Sequence, residues 1–301
     1  MHTTTKSHQR PRSRSRRPRR EASRRGSVAE QLAALAGRLT DRDRAIVRLV
    51  HEHRVLTTHQ LGAAFFDSLD RAEHRLRELT QARVLLRFRP HARHGEGSAP
   101  YHYVLGPLGA AVLAAEQGTE VRRLGYRADK ALAVAHSQRQ AHLVGVNGFF
   151  IALVAYGRQD RAQGARLALW LSELACADHW GHVVRPDGFG RWSQHGRQVG
   201  FFLEYDRGTE PLDRLAAKLY GYGELADATQ IPTPVLFWLP TSGREASARQ
   251  VLASEGRWSR VRFLVATASP TFGLGPAEAA WLPLGHTWPR LRLVDLAEVQ
   301  A

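Results

Sequence analysis

Sulfur is almost missing from this sequence: Cys176 is its one cysteine and Met1 its one methionine. A lone thiol excludes an internal disulfide and fits a reducing cytoplasm. Acidic residues are also scarce, 28 against 43 Lys and Arg, for a formal net charge of +15. That imbalance points to a polyanionic partner, and with no apolar run of membrane-spanning length, nucleic acid is favoured over a lipid surface. The Arg-rich first residues lead into no apolar segment ahead of a cleavage site, so a secretory signal is not expected. A glycine-rich phosphate loop, a nucleophile elbow and internal repeats are all wanting, and readings built on those motifs have nothing to rest on.

What is present is enough chain, 301 residues at 43% hydrophobic, for two domains with cores. Arginine greatly outnumbers lysine, which suggests a GC-rich bacterial genome. Residues 1–28 hold ten Lys and Arg and one acid, leaving about +6 for the remainder. With little to bury and strong self-repulsion, they read as a disordered basic tail that adds phosphate affinity without reading sequence.

Residues 29–117 are expected to form three helices and a hairpin. Residues 41–53 carry Ile46, Leu49 and Val50 at helical spacing; Thr57 and Thr58 cap a short helix; Ser68 or Asp70 opens a third, with Ala72, Leu76 and Leu79 as its buried stripe. The other faces of the third helix display Arg71, His74, Arg75 and Glu78, side chains able to reach phosphates and base edges. Residues 84–89 and 101–105 read as strands around a loop rich in Gly, His and Arg, with Leu86 and Phe88 alternating against Arg87 and Arg89. This order resembles a winged helix-turn-helix. The resemblance implies Arg71, His74 and Arg75 at the groove of double-stranded DNA, and Arg87, Arg89 and Arg93 as wing contacts to its backbone. For any one of these side chains the plain alternative is a solvated face. Pro107 begins a further apolar helix.

Residues 118–128 read as a linker and 129–301 as a second domain. A long helix from residue 129 is marked by Leu132, Ala135, His136, Leu143, Val146, Phe150, Leu153 and Val154, although Gly145 and Gly148 weaken its middle. His136 and His142 fall on or near its inner side, where a histidine is more often packed and hydrogen-bonded than a ligand. Residues 166–174 follow as a strand with Glu173 on the face of Leu167, Leu169 and Leu171. Cys176, His179 and His182, at intervals of three, invite comparison with a zinc site. Closed zinc sites take four ligands in two separated pairs, so a polar hairpin loop is the simpler expectation and zinc is not expected.

Residues 199–203 are apolar and aromatic enough for a buried strand, and period-2 geometry puts Glu204 and Asp206 on one side of its end. Gly208 breaks that strand, Thr209 is the expected N-cap, and Pro211 sits in the first turn of the helix that holds Lys218. Strand 234–239, a helix reaching residues 249–254, strand 261–266 and an edge strand at 291–294 complete a mixed sheet. Asp187, in Arg185-Pro186-Asp187-Gly188, is presented from a strand neighbouring that of Glu204. Magnesium is held by one or two carboxylates with water and phosphate oxygens, and phosphodiester cleavage wants it near a proton-handling group or second cation. Asp187 and Glu204 could supply those carboxylates.

The order helix, strand, strand with Pro-Asp, strand with Glu-x-Asp, helix, strand resembles the restriction-endonuclease-like PD-(D/E)xK core, and implies Asp187 and Glu204 as magnesium ligands. Where that core has a lysine two residues after the glutamate, this sequence has Asp206; Lys218, about two turns into the next helix, could bring an ammonium to the same place. The plain alternative pairs Glu204 and Asp206 with arginines such as Arg185 or Arg207 and leaves Lys218 solvated. Tyr205 faces away from the carboxylates, and nothing supports Tyr220 or Tyr222 as a nucleophile. A paired-histidine strand of the relaxase kind is missing, since His51-Glu52-His53 lies inside a helix.

Taken whole, the winged helix followed by Arg-Pro-Asp, Asp206-Arg207-Gly208-Thr209-Glu210, Lys218 and Tyr222 resembles the replication-relaxation family of actinobacterial plasmid and mobile-element proteins, over roughly residues 38–270. The fold class implied is α/β and α+β: an N-terminal winged helix-turn-helix, then a restriction-endonuclease-like mixed-sheet α/β domain. The resemblance implies a cytoplasmic, DNA-associated protein of plasmid replication or DNA relaxation, with Asp187, Glu204, Lys218 and Asp206 as its catalytic set. Partners would be double-stranded DNA and other replication or relaxation proteins, not a membrane, and a homodimer is open to it. The alternative is a non-enzymatic transcription regulator or replication initiator on a degenerate nuclease scaffold.

Overall fold

The computed structural model describes residues 28–90, 98–254 and 258–299. The chain divides into two compact units, 1–38 and 39–301. In the first, a helix α1 spans Val28–Ala36; the expected basic tail otherwise lies outside the described residues. The second unit is a mixed α/β structure with a three-stranded and a six-stranded sheet among the described residues.

The second unit opens with α2 (Asp41–His53), β1 (Leu56–Thr57), α3 (Thr58–Phe65), α4 (Leu69–Gln81), β2 (Leu85–Phe88), β3 (His102–Leu105) and α5 (Pro107–Glu116). Each of the first three helices starts where a side chain can accept from an otherwise unpaired N–H. Thr40 and Asp43 form a reciprocal capping box on α2, Thr57 and Gln60 form one on α3, and Ser68 caps α4. Sequence pattern does not announce β1; two residues are too few to show a period, and only its antiparallel pairing to β3 defines it.

The six strands run β4 (Arg166–Ser172), β5 (Gly188–Gln194), β6 (Arg197–Tyr205), β7 (Val235–Trp238), β8 (Val265–Ala268) and β9 (Leu282–Pro283), in that spatial order. The β4–β5–β6 meander is antiparallel, β6–β7–β8 is parallel, and β9 closes the edge antiparallel. The residues expected to give an edge strand instead make one bridge, Leu291 to Trp281, and then a 3-10 helix over Leu293–Glu298.

Around the sheet lie α6 (Ala128–Ala133), α7 (Gln140–Gln159), α8 (Glu173–Trp180), α9 (Leu212–Thr229) and α10 (Ser242–Ser254). The expected single helix from residue 129 is thus two, separated by a 3-10 turn over Val134–His136. Residues 173–182 correct a second expectation. The strand β4 stops at Ser172, whose hydroxyl accepts from the Ala175 N–H, so Glu173 begins a helix and the anticipated hairpin loop is α8. One sheet face packs on Val146, Phe149, Phe150 and Leu153 of α7 together with Trp281, Leu293 and Val294; the other packs on Leu215, Leu219 and Tyr222 of α9 and Ala248 and Leu252 of α10.

By length and composition α7 could cross a membrane, 20 residues with a best-window mean hydropathy of 1.3, so the expectation that no stretch reaches spanning length is corrected. In this fold its apolar side chains pack in the core just described. Its length also joins the two sheets. The Asn147 amide donates to the His53 and Val55 carbonyls at 3.1 and 2.7 Å, Gln60 donates to the Val144 carbonyl, and Arg158 donates to the Ala64 and Phe66 carbonyls. The His53 ring stacks on Trp170 of β4 at 3.5 Å, and burial pushes its pKa down to about 3, so it stays neutral in that stack.

Candidate functional site

The acids that the sequence singles out meet at one end of β5 and β6. Asp187 precedes β5 and donates its backbone N–H to the Leu203 carbonyl, which sets it beside Glu204. Alternation along β6 sends Tyr205 toward α7 and Glu204 toward α9. There Lys218 Nζ donates to Glu204 Oε2 at 2.7 Å and the Tyr222 hydroxyl donates to Oε1 at 2.5 Å. The two residues are four apart on α9, hence on one face. Lys218 is therefore paired, not solvated, and it also lies 3.5 Å from Glu210.

Asp187 is held on the other side. Its Oδ1 faces His142 Nε2 of α7 at 2.9 Å, and Oδ2 accepts the Tyr205 N–H at 2.8 Å. The ring of Tyr205 packs edge-on against His142 and crosses α7 at Gly145, where an added Cβ would come 2.4 Å from it. That close approach explains a glycine which, from sequence, only weakened the helix. The sequence places His142 near the inner side of its helix and Tyr222 in the family motif, but it assigns neither to the carboxylate site. The aspartate and the histidine are 45 residues apart, and no local spacing announces their meeting.

The electrostatics follow from burial. Glu204 is wholly buried; desolvation, reinforced by the charge of Asp187, pushes its carboxyl up to about 7 against the pull of Lys218 and Tyr222. Burial disfavours the Lys218 ammonium, but the charges of Glu204 and Asp187 more than offset it and raise its pKa. The same contest at His142, burial against the Asp187 hydrogen bond and charge, ends in a raised pKa. The site is thus two carboxylates, an ammonium, an imidazole and a phenol, able to hold and exchange protons.

Two oxygen-donor carboxylates whose charges oppose each other are the kind of set a hard divalent cation takes with water and phosphate oxygens, so Asp187 and Glu204 fit magnesium in kind. Among the described residues no group of three or more His, Cys, Asp or Glu is placed to hold a metal by protein ligands alone. Cys176 is buried with its thiol against the Leu171 carbonyl, and His179 bonds the Ala175 carbonyl one turn back on α8. Asp206 stands apart from the cluster: its carboxylate accepts from Arg244 Nε at 2.7 Å and from the Gly208 N–H at 2.8 Å, bracing the turn after β6.

On the helix and hairpin, Arg71 is exposed on α4 and His74 lies 3.3 Å from Glu78. Arg87 and Arg89 both lie over the Tyr101 ring, at 4.1 and 3.9 Å, with their heads at the surface. Arg93 lies outside the described residues. Arg75 is drawn inward: Nε and Nη2 donate to the buried Asp43 at 3.0 and 2.6 Å, and Nη1 donates to Glu78. Burial alone would raise Asp43, but Arg75 and the Thr40 cap hold it below the ordinary aspartate range.

Arg75→Ala is expected to lower the unfolding free energy by about 2 kcal/mol at pH 7, less than a fully buried pair because the arginine is partly exposed. A depressed carboxylate stabilises above its unfolded pKa, and that gain is lost as pH falls through the folded value. Urea midpoints of parent and variant should therefore converge as pH falls through that folded value. A gap that persists in acid would assign the loss to packing instead.

A family model described as replication-relaxation matches residues 47–236. The match takes in α4, the hairpin, α7 and every residue of the carboxylate cluster. No curated protein and no solved structure matches the chain. Since the matched segment covers most of the chain, the protein belongs to the replication-relaxation family, which suggests a role in plasmid replication or relaxation.

Proposed function

We propose that the chain binds double-stranded DNA in plasmid replication or relaxation, reading it with a winged helix-turn-helix and acting on it through a nuclease-like site. The convergence of Asp187, Glu204 and Lys218 at one end of adjacent strands carries this reading. In support, α7, β4, β5, β6, α9 and β7 follow the order of a PD-(D/E)xK core, with α8 inserted between β4 and β5, Asp187 ahead of β5 and Glu204 in β6. The helices α2–α4 and the β2–β3 hairpin supply the winged helix, with Arg71 and His74 on α4 and Arg87 and Arg89 on the hairpin facing DNA. Arg75 supports that helix through Asp43. The protein works in the cytoplasm, associated with DNA and with other replication or relaxation proteins, as a monomer or a homodimer.

Asp187 and Glu204 would hold magnesium, which when bound polarises a phosphate oxygen. Lys218 holds a proton beside Glu204, and His142 orients Asp187. A second reading, a non-enzymatic initiator or regulator on a nuclease scaffold, is favoured by one observation: both oxygens of each carboxylate are already engaged by His142, Tyr205, Lys218 and Tyr222.

Supercoiled DNA incubated with protein and magnesium separates the readings. Nicking by the parent and a loss of at least about 100-fold in Asp187→Ala and Glu204→Ala are expected. Equal nicking by parent and variants removes these residues from the chemistry. DNA binding with no nicking by the parent selects the scaffold reading.

A further inference from the structure

Away from the carboxylate cluster, a cleft of about 870 Å³ opens where the end of α7, the turn after it and the β5–β6 hairpin meet. Arg158, Arg161, Arg166 and Arg197 line it. Two of them are engaged: Arg158 pairs with Asp67 at 2.9 Å, and Arg197 pairs with Asp295 and Glu298 at 2.7 and 3.0 Å. Asp160, the acid nearest in sequence, accepts from Gln194. Arg161 and Arg166 are exposed and have no ion-pair or hydrogen-bonding side-chain partner among the described residues. Guanidiniums gathered at one concave surface repel each other unless an anion joins them, and their planar forks suit phosphate.

The cleft's position says which phosphate. Asp67, the partner of Arg158, stands directly ahead of Ser68, the N-cap of α4. Arg158 also bonds the Ala64 and Phe66 carbonyls at the end of α3, so it fixes the cleft to the turn that presents α4 and neutralises the one carboxylate of that turn. In helix-turn-helix docking the N-terminal residues of the second helix enter the groove, and the sugar-phosphate backbone passes beside that end.

We propose that duplex DNA seated on α4 continues across this cleft, with Arg161 and Arg166 neutralising backbone phosphates. The proposal rests on the duplex-binding reading above and extends the footprint from the winged helix onto the edge of the six-stranded sheet. Phosphate contacts set register and affinity but carry no base information. The cleft therefore changes how tightly DNA is held, not which sequence is preferred.

The test uses the full chain, a long labelled duplex and anisotropy across about 50–200 mM salt. The double variant Arg161→Ala/Arg166→Ala is expected to bind more weakly at low salt, with a salt slope shallower by about 0.9 per arginine and an unchanged ratio of affinities between two sequences. Arg260→Ala/Arg262→Ala, which removes two exposed arginines beside the end of α9, is expected to leave the slope near the parent's. Parent-like slope in the cleft variant overturns the proposal, as does an equal change in the control pair, since general charge would then explain it. Failure of the parent to bind duplex at any salt is a different result and removes the duplex reading itself.

Discussion

Lys218→Met is expected to destabilise the protein by about 2–3 kcal/mol at pH 8, and much less at pH 5. The methionine keeps the aliphatic stem but leaves Glu204 fully buried beside Asp187, with the Tyr222 hydroxyl as its remaining hydrogen-bond partner among the described residues. Breaking a buried pair by removing one member costs about 3–5 kcal/mol; Lys218 is 31% exposed, so a discounted figure applies. The pH dependence follows from the sign of the shift. Glu204 already titrates above its unfolded value, because burial and Asp187 oppose its charge. A carboxyl raised in the folded state does no harm below the unfolded pKa, and its destabilisation grows as pH rises toward the folded pKa. Without the ammonium that folded value rises further; the group stays protonated in both folded proteins below about 7, so urea midpoints of parent and variant should separate as pH rises through about 7. In a Glu204→Gln background the same lysine change should have less than half the effect, because no charge remains to strand. An equal loss in both backgrounds would show that the lysine stem, not its charge, is what the fold needs. On the nuclease reading proposed above, nicking measured near pH 6, where the variant remains folded, is expected to fall with the loss of the proton beside Glu204.

The contrast between Glu204 and His142 shows what the sequence can and cannot reveal. Strand β6 is legible because the apolar and aromatic run from Val199 to Leu203 leaves a carboxylate at its end, and period 2 then fixes its side. Lys218 is legible as a candidate because few lysines occur and this one follows within a turn and a helix. The partners are less so. Sequence proximity matches Glu204 and Asp206 with Arg185 or Arg207. The fold instead gives Glu204 to Lys218 and Tyr222, and Asp206 to Arg244, 38 residues on, at the start of α10. Pairings of that separation depend on helix docking, which periodicity does not encode. Local capping is legible at Thr57 and Ser68, which sit where sequence places helix starts because a cap acts over three residues, but not at Thr209, since α9 starts after Pro211 with no side-chain cap. At Ser172 the same rule outweighs strand alternation, turning Glu173 into the first residue of α8.

Arg290→Ala is expected to cost about 3–5 kcal/mol, more than the loss of either Arg75 or Lys218, because its partner is buried and the arginine side chain is itself only 9% exposed. Its partner Glu245 on α10 is 1% exposed. Arg290 donates to Glu245 Oε1 and Oε2 at 2.8 and 3.0 Å and to the Ala280 carbonyl at 2.6 Å, while Thr267 and Ser269 donate to the same carboxylate at 2.9 and 3.0 Å. The network ties the C-terminal segment to β8 and α10, and that segment delivers Trp281, Leu293 and Val294 to the core beneath α7. It lies beyond the residues matched by the family model, yet the sheet end that carries Glu204 leans on it through β7 and β8. Loss of the guanidinium leaves a buried carboxylate whose two remaining hydroxyl donors cannot balance its charge. If charge is the cause, Arg290→Ala/Glu245→Gln should recover at least half the loss in urea unfolding at pH 7. A double variant as unstable as the single one would mean that the arginine's contact with the Ala280 carbonyl, and the packing it secures, holds the segment in place.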